Sequence, residues 1–362
     1  MPQTLTASPI YDIHKTYLEN ADQGPFFSGH LPQRQWKPES EWIDFLGYKI
    51  ASPIGVPAGP LLNSKWTTLA ARLGFDVVTY KTIRSYEHPS HPLPNVMFVD
   101  TGGAIAEDRI GAAATPLEHP PSSSDELAIT NSFGNPSRKP EYLEMDIHLA
   151  AHALEKGQLL IVSVFGTGGS LSEAARGFIK AASLAKSSGA HVIEANFSCP
   201  NVSSGGALYT DPEASYQIAK EIAEAIKPTP LIVKMGVFKD QAELEAVLLS
   251  LARAGVRAVC GINTIPMNVV DAKGNPALGE NRLQSGICGD PIRPMALSFI
   301  RQARMIIDNH ELDLELLGCG GITKAKHFDQ FLEAGAGAAL TATGMMWDPY
   351  LAHRWHTKER QA

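Results

Sequence analysis

His191-Val-Ile-Glu-Ala-Asn-Phe-Ser-Cys-Pro-Asn201 changes character halfway along its length. Its first half is a short apolar run, the pattern of a buried strand. Its second half is a polar turn in which two carboxamides, Asn196 and Asn201, flank the Cys199 thiol, and Pro200 stiffens the backbone. Carboxamides both donate and accept hydrogen bonds, which suits a planar ligand with alternating C=O and N–H groups. A thiol beside them can move a proton or attack an electrophile. An ordinary polar turn is the reading that this stretch, taken alone, leaves open. Asn196 and Asn201 also fit the glycosylation pattern, but no secretory signal accompanies them.

The same change from apolar run to polar end recurs outward in both directions. Strands are expected near Ile54–Val56, Val77–Lys81, Leu159–Val164, Val192–Asn196, Leu231–Lys234, Ala258–Asn263, Leu314–Leu317 and Ala339–Ala342. Helical patterns alternate with them near Ser64–Leu73, Glu141–Leu154, Leu171–Ser187, Asp211–Ile226, Gln241–Ala254, Pro294–Ile307, Lys324–Glu333 and Asp348–His356. Alternation of this kind implies a parallel sheet with crossover helices. Near-continuous apolar strands imply burial on both faces. About eight such units predict an α/β fold closed into a (β/α)₈ TIM barrel.

Two connections, Ile83 to Pro140 and Ile265 to Arg293, are too long for plain loops and follow strand C-termini, where barrel sites are built. Their Pro, Gly and Ser content predicts irregular covers at the C-terminal face, with disordered insertions as the alternative. Residues 1–46 are expected to form an N-terminal extension that packs on the barrel of residues 47–362. Ile10, Ile13, Tyr17 and Leu18 share a helical face there, and Phe26, Phe27 and Trp36 offer anchors.

Composition narrows the function classes. The chain has 362 residues, 44% hydrophobic and 19% charged, which is ordinary for a soluble protein with a large core. A net charge of -7 gives no electrostatic case for nucleic acid. No apolar stretch approaches the roughly 20 residues that span a bilayer. The 4 cysteines form no Cys-x-x-Cys pair and have no histidines at zinc-ligand spacing, so no metal site is expected. A reduced cytoplasmic setting fits this usage.

The strand ends carry the chemistry. They read Pro57-Ala-Gly-Pro60, Lys81-Thr82, Asn196, Lys234, Asn263-Thr264, Gly318-Cys-Gly-Gly321 and Thr343-Gly344, and in a barrel all converge on one face. A single lysine ending a strand reads as a snorkelling surface residue; two, with carboxamides at equivalent positions, read as a site. The glycine turns after the last two strands let backbone N–H groups approach an anion, and these loops commonly bind phosphate in this fold. Ser285-Gly-Ile-Cys-Gly289 adds another close-approach loop. A phosphorylated cofactor follows. Lys81 or Lys234 as a Schiff-base lysine is the competing reading, though it does not call for a thiol-bearing carboxamide loop.

Taken in order, these segments resemble the dihydroorotate dehydrogenase family over roughly Ile54 to Met346. Asn196-Phe-Ser-Cys-Pro-Asn201 is similar to that family's Asn-x-Ser-Cys/Ser-Pro-Asn motif, and Asn131-Ser-Phe-Gly-Asn-Pro136 to its substrate loop. Val233-Lys-Met, Gly261-Ile-Asn-Thr264, Ser285-Gly-Ile-Cys-Gly289, Gly318-Cys-Gly-Gly-Ile322 and Ala342-Thr-Gly344 follow in the expected order. The resemblance implies FMN on the barrel and oxidation of dihydroorotate to orotate in pyrimidine biosynthesis. Cys199 is then the base for the C5 proton, and the C6 hydride goes to the flavin N5. Lys81 stands near flavin and substrate and favours the anion. Asn131, Phe133, Gly134, Asn196, Asn201, Asn263 and Thr264 hold the pyrimidine. Ala58, Gly59, Lys81, Thr82, Asn131, Asn196, Lys234, Asn263, Gly286, Gly289, Cys319, Gly320, Gly321, Thr343 and Gly344 hold FMN, with the phosphate on the backbone around Gly286, Gly320, Gly321 and Gly344. It also implies a small-molecule or protein electron acceptor and a homodimer.

Cysteine at the base position marks the soluble enzymes of this family, whereas serine marks membrane-associated, quinone-using ones with an N-terminal extension. This chain has both the cysteine and an extension. The Ile265–Ile292 connection, with Asp271-Ala-Lys-Gly-Asn-Pro276, is also similar to the pyrimidine-reducing domain of dihydropyrimidine dehydrogenase. FMN-dependent oxidation of another dihydropyrimidine, or a non-catalytic barrel that binds a phosphorylated ligand, therefore stand beside dihydroorotate oxidation.

Overall fold

Residues 8–34, 36–198 and 208–358 are described here, from a computed structural model of the chain. Eight parallel strands close a barrel in chain order: β1 (Ile54–Val56), β2 (Val77–Ile83), β3 (Leu159–Val164), β4 (Val192–Asn196), β5 (Leu231–Lys234), β6 (Ala258–Gly261), β7 (Glu315–Cys319) and β8 (Ala338–Leu340). Alternate residues point inward. Val77, Leu159, Ile161, Val192, Ile232, Ala258, Leu317, Ala338 and Leu340 fill the interior. The intervening residues pack outward against the helices, which is why the strands read as unbroken apolar runs. The hairpin Ile43–Phe45/Tyr48–Ile50 adds Phe45, Leu46 and Ile50 to the inner cluster. It sits at the strands' N-terminal end, with Phe45 against Gly337 and the flanking Trp42 and Ala51 against Gly157.

The helices start where side chains can satisfy orphan N–H groups. Ser170 accepts from Glu173 N and opens Leu171–Ser187, whose inner face is Ala175, Phe178, Ala181, Ala182 and Ala185. Asp211 and Asp240 cap Pro212–Ile226 and Gln241–Arg253 in the same way. Asp211 and Lys324 thus stand as caps outside their helices, one residue from where periodicity begins them. Thr343–Trp347 forms a short helix of its own directly after β8. Among the described residues no helix is long and apolar enough to cross a membrane.

The two long connections differ from the irregular covers expected. Together they build a second closed barrel from Val96–Asp100, Ala113–Pro116, Ala128–Asn131, Ile265–Val269 and Gln284–Gly289. Asn131 pairs with both Val96 and Gly286, and Thr130 Oγ1 donates to the Gly286 carbonyl across 156 positions. Each strand is too short to announce itself. Two pairings between the connections, Ala113–Pro116 with Ile265–Val269 and Ala128–Asn131 with Gln284–Gly289, close the barrel. This small barrel sits over the C-terminal mouth of the large one, and the cleft between them is the candidate site.

The N-terminal segment packs Ile10, Tyr11, Tyr17 and Ala21 into the main core. Leu18, expected on the same face, is instead exposed. The helix Tyr17–Gln23 starts in a capping box of Thr16 and Glu19.

Asp146, on Pro140–His152, holds a neighbouring helix start. It accepts from Ser64 N at 2.8 Å, from Ser64 Oγ at 2.6 Å and from the buried Tyr80 hydroxyl. Asp146→Ala leaves all three donors buried without an acceptor. Urea unfolding of this variant is expected to show a loss of about 2–4 kcal/mol.

Candidate active site

The cleft has a volume of about 1120 Å³ including its mouth. From the large barrel its wall takes Pro57, Ala58 and Gly59 after β1, Lys81 and Thr82 on β2, Asn196 on β4, Lys234 on β5, Asn263 and Thr264 after β6, and Cys319, Gly320 and Gly321 at β7. Ala342, Thr343 and Met346 follow β8. The small barrel contributes Val96, Ile129, Asn131, Gly286, Cys288 and Gly289, and Phe133 follows its Ala128–Asn131 strand.

Two expected residues lie outside this wall. Gly134 packs under His91, and a Cβ on Gly344 would meet the Ile322 carbonyl at 2.5 Å, so Gly344 serves close packing behind Thr343. Cys199 and Asn201 lie outside the described residues, as does the Ser203–Gly206 stretch of the same loop. Tyr11, Asn135 and Cys288 line the cleft without having been singled out from sequence. Tyr11 comes from the distant N-terminal segment, and nothing local marks it.

Inward-facing register explains the lysine. On β4 and β5 the paired positions Glu194↔Ile232 and Asn196↔Lys234 point inward together with Val192. Lys234 is 3% exposed, and its ammonium donates to the Ala58 carbonyl at 3.3 Å. Burial by itself lowers the Lys234 ammonium. The Glu194 carboxylate one layer below, together with the Cys319, Cys260 and Cys288 sulfurs, outweighs that and leaves it raised, so the lysine is a cation. Both Glu194 carboxylate oxygens are buried without a hydrogen-bond partner among the described residues.

The remaining polar groups are held in place. Asn196 Oδ1 accepts from Ser198 N at 3.2 Å, and Asn263 Nδ2 donates to the Ser198 carbonyl at 2.7 Å. The second bond ties the residue immediately before Cys199 to the end of β6. Lys81 Nζ lies 5.3 Å from the Phe133 ring centroid, close enough for a cation–π contact. Asn131 Nδ2 has a long contact, 3.6 Å, to Cys288 Sγ.

At the other end, Gly320 and Gly321 adopt φ of +117° and +83°, which exposes backbone N–H groups that a side chain would cover. A Cβ on Gly321 would lie 2.6 Å from Arg293 N, at the start of the helix Arg293–Asn309. The turn is braced from behind. Thr323 Oγ1 donates to Asp290 at 3.2 Å, and Thr323 N to His327 Nδ1 at 3.3 Å. Asp125, Asp290 and His327 each bring a ligand-type atom within 4.8 Å of the others. However, Lys324 and Arg293 already pair with the two carboxylates. Burial, then the Arg293 charge, lowers the His327 imidazole to about 3. The cluster therefore reads as scaffolding for the turn.

Gly59 leaves the wall open, since an added Cβ would meet no atom within 4 Å. An open cradle, a buried cation, several carboxamides and a positive-φ glycine turn fit a flat ring with C=O and N–H edges and an anionic tail.

The dihydroorotate dehydrogenase family model matches residues 42–358. Dihydroorotate dehydrogenase of Dictyostelium discoideum is 46% identical over 361 residues, 97% of this chain and 98% of that one. The catalytic subunit of dihydroorotate dehydrogenase B (NAD(+)) of Shouchella clausii (strain KSM-K16) is 33% identical over 171 residues, 47% of this chain and 53% of that one. Dihydroorotate dehydrogenase A (fumarate) of Limosilactobacillus reuteri (strain DSM 20016) is 32% identical over 167 residues, 46% and 51% of the two chains.

Proposed function

Because the chain belongs to the dihydroorotate dehydrogenase family, we propose that its cleft oxidises dihydroorotate to orotate in pyrimidine biosynthesis, with FMN as the bound cofactor. The observation that carries this reading is the convergence of Lys81, Asn131, Asn196, Lys234 and Asn263 on one cleft beside a glycine turn suited to phosphate. When bound, FMN supplies a two-electron sink for the hydride that leaves C6 of the substrate.

The chain's own residues do the rest. Gly320, Gly321, Ala342 and Thr343 would hold the phosphate on backbone N–H groups, helped by the start of the short helix Thr343–Trp347. Lys234 would hold the cofactor's polar ring edge or ribityl chain. Asn131, Asn196, Asn263 and Thr264 would pair with the pyrimidine's C=O and N–H groups, and Lys81 would favour its anionic form. Cys199 would take the C5 proton. A free thiol has a pKa of about 8.5, so a lowered value would serve this role. The Asn263–Ser198 bond supports the base from one side by fixing the backbone that leads to it.

The named relatives differ in acceptor, NAD(+) in one and fumarate in another, so either a protein partner or a small molecule would reoxidise the flavin. The sequence resemblance also supports a cytoplasmic homodimer.

The test is flavin bleaching without air over a panel of dihydropyrimidines. Dihydroorotate is expected to bleach the purified yellow protein, and dihydrouracil and dihydrothymine are not. Bleaching by the uncharged rings alone would move the substrate, and protein that takes up no flavin would remove the cofactor. Asn131→Ala should keep FMN and lose turnover by about tenfold or more, because a ligand group is then buried without its partner. Steady-state kinetics check this, and unchanged turnover would take Asn131 out of the site.

A further inference from the structure

Arg84 is buried and stands directly after β2, the strand that carries Lys81 and Thr82 to the cleft. It is not part of the wall. Its guanidinium turns instead to the loop 131–137, whose Asn131, Phe133 and Asn135 line the cleft beside Lys81. Nε donates to the Asn135 carbonyl at 2.9 Å, and Nη2 to the Gly134 carbonyl at 3.3 Å. We propose that Arg84 is a positioning residue, whose planar fork holds this loop in register with the Lys81 strand and so sets the shape of the pyrimidine site. The inference rests on the dihydroorotate reading of the cleft.

The loop needs such a clamp at one place. On either side of it, backbone partners serve. Ser132 N donates to the Asn95 carbonyl at 2.8 Å and His91 N to the Phe133 carbonyl at 2.9 Å, while His88 and Ser137 exchange both backbone bonds at 2.9 Å. Between these pairings the chain bends through two successive left-handed residues, Gly134 at φ +79° and Asn135 at φ +49°. A residue other than glycine is uncommon there and needs its surroundings to hold it. The two carbonyls of that bend are the ones the fork takes. Packing closes in on the bend as well, since a Cβ on Gly134 would meet the His91 ring at 2.6 Å.

Arg84 is itself fixed. Its backbone N donates to Ser137 Oγ at 3.0 Å, and that hydroxyl lies 3.3 Å from the Arg84 carbonyl, which accepts from it. Nη1 donates to the Tyr86 hydroxyl at 2.9 Å, and Cζ lies 5.1 Å from the Phe165 ring centroid. Donors on Nε, Nη1 and Nη2 thus serve three acceptors in one plane, which a lysine ammonium cannot reproduce. The glycine turn at Gly320 and Gly321 is braced elsewhere, by Thr323, Asp290 and His327. A loosened clamp should therefore weaken the ligand that the loop faces and spare the one that the turn holds.

Arg84→Lys keeps the charge and most of the aliphatic stem but loses the fork, and Arg84→Gln loses the charge too. Orotate dissociation from FMN-loaded protein, read by its shift of the flavin spectrum, should weaken by about tenfold in both variants. FMN dissociation from apoprotein, read by flavin fluorescence, should stay within about twofold. Amide hydrogen exchange in the ligand-free protein, read by mass spectrometry on peptides covering 131–137, should speed up by about fivefold or more in Arg84→Lys. Wild-type orotate affinity in Arg84→Lys would overturn the inference, because charge alone would then suffice. Equal losses of both ligands with a lower melting temperature would overturn it too, as the mark of general packing. Should Arg84→Gln not fold, Arg84→Lys decides alone. Wild-type protein that holds FMN but binds no orotate sinks the dihydroorotate reading, and exchange over the loop then decides the clamp: faster exchange in Arg84→Lys upholds it, and unchanged protection sinks it.

Discussion

Flavin reduction by dihydroorotate should slow by about 10²-fold or more in Cys199→Ala, while FMN and orotate stay bound. Oxidising a C–C bond in a dihydropyrimidine takes a base at one carbon and a hydride acceptor at the next, and alanine removes the base alone. The fixed Ser198 carbonyl and the Asn196 side chain keep the approach to position 199 in place, so binding should survive. Cys199→Ser should retain part of the rate, shifted toward higher pH, since an alcohol is a poorer base near neutrality. Stopped-flow mixing without air separates this step from reoxidation. If Cys199 were only a small packed residue, alanine would be nearly silent, and a near-normal reduction rate in Cys199→Ala would reject the mechanism while leaving fold and cofactor intact.

Gly59→Leu should fold normally and purify with little or no flavin. Most glycines near the cleft cannot separate folding from binding. A Cβ on Gly286 would meet Thr264 Oγ1 at 2.0 Å, and one on Gly289 the Leu127 carbonyl at 2.0 Å, so those variants would damage the walls themselves. Gly59 differs, because it lines the cleft, has no positive φ, and opens onto empty space. It also adjoins Ala58, whose carbonyl accepts from Lys234. A leucine there occupies ligand space without displacing protein. Forcing a side chain against a well-packed ligand costs about 1–3 kcal/mol, which corresponds to a loss in FMN affinity of about fivefold to 150-fold. Titrating apoprotein with FMN measures it. Wild-type affinity in a folded Gly59→Leu would place the cofactor elsewhere.

The sequence by itself determined the large barrel and the direction in which its chemistry points. Leu231 to Lys234 is apolar until its last position, as is Val192 to Asn196 apart from Glu194, and in a parallel strand buried on both faces the end is the readiest place for a polar residue. Once eight such strands close in chain order, Lys81, Asn196 and Lys234 meet at one mouth without further instruction. Strand ends moved by only one or two residues, as at Gly261 and Cys319, because local periodicity blurs where hydrogen bonding stops.

Only the tertiary structure decided what covers that mouth. The strands Ala128–Asn131 and Gln284–Gly289 are short and rich in small residues, and each is stabilised by a partner far away in the chain. Local pattern cannot encode such a pairing. The same holds for Tyr11, whose place in the cleft depends on Ile10 meeting Met346 across nearly the whole chain. Glu194 is a third case. Within its strand it interrupts an apolar run, and only barrel closure reveals that it faces inward beneath Lys234, where it helps to hold the buried ammonium's pKa up. Sequence specifies which residues end strands, because burial is a local demand. Which distant residues share a wall is settled by closure of two barrels on one another.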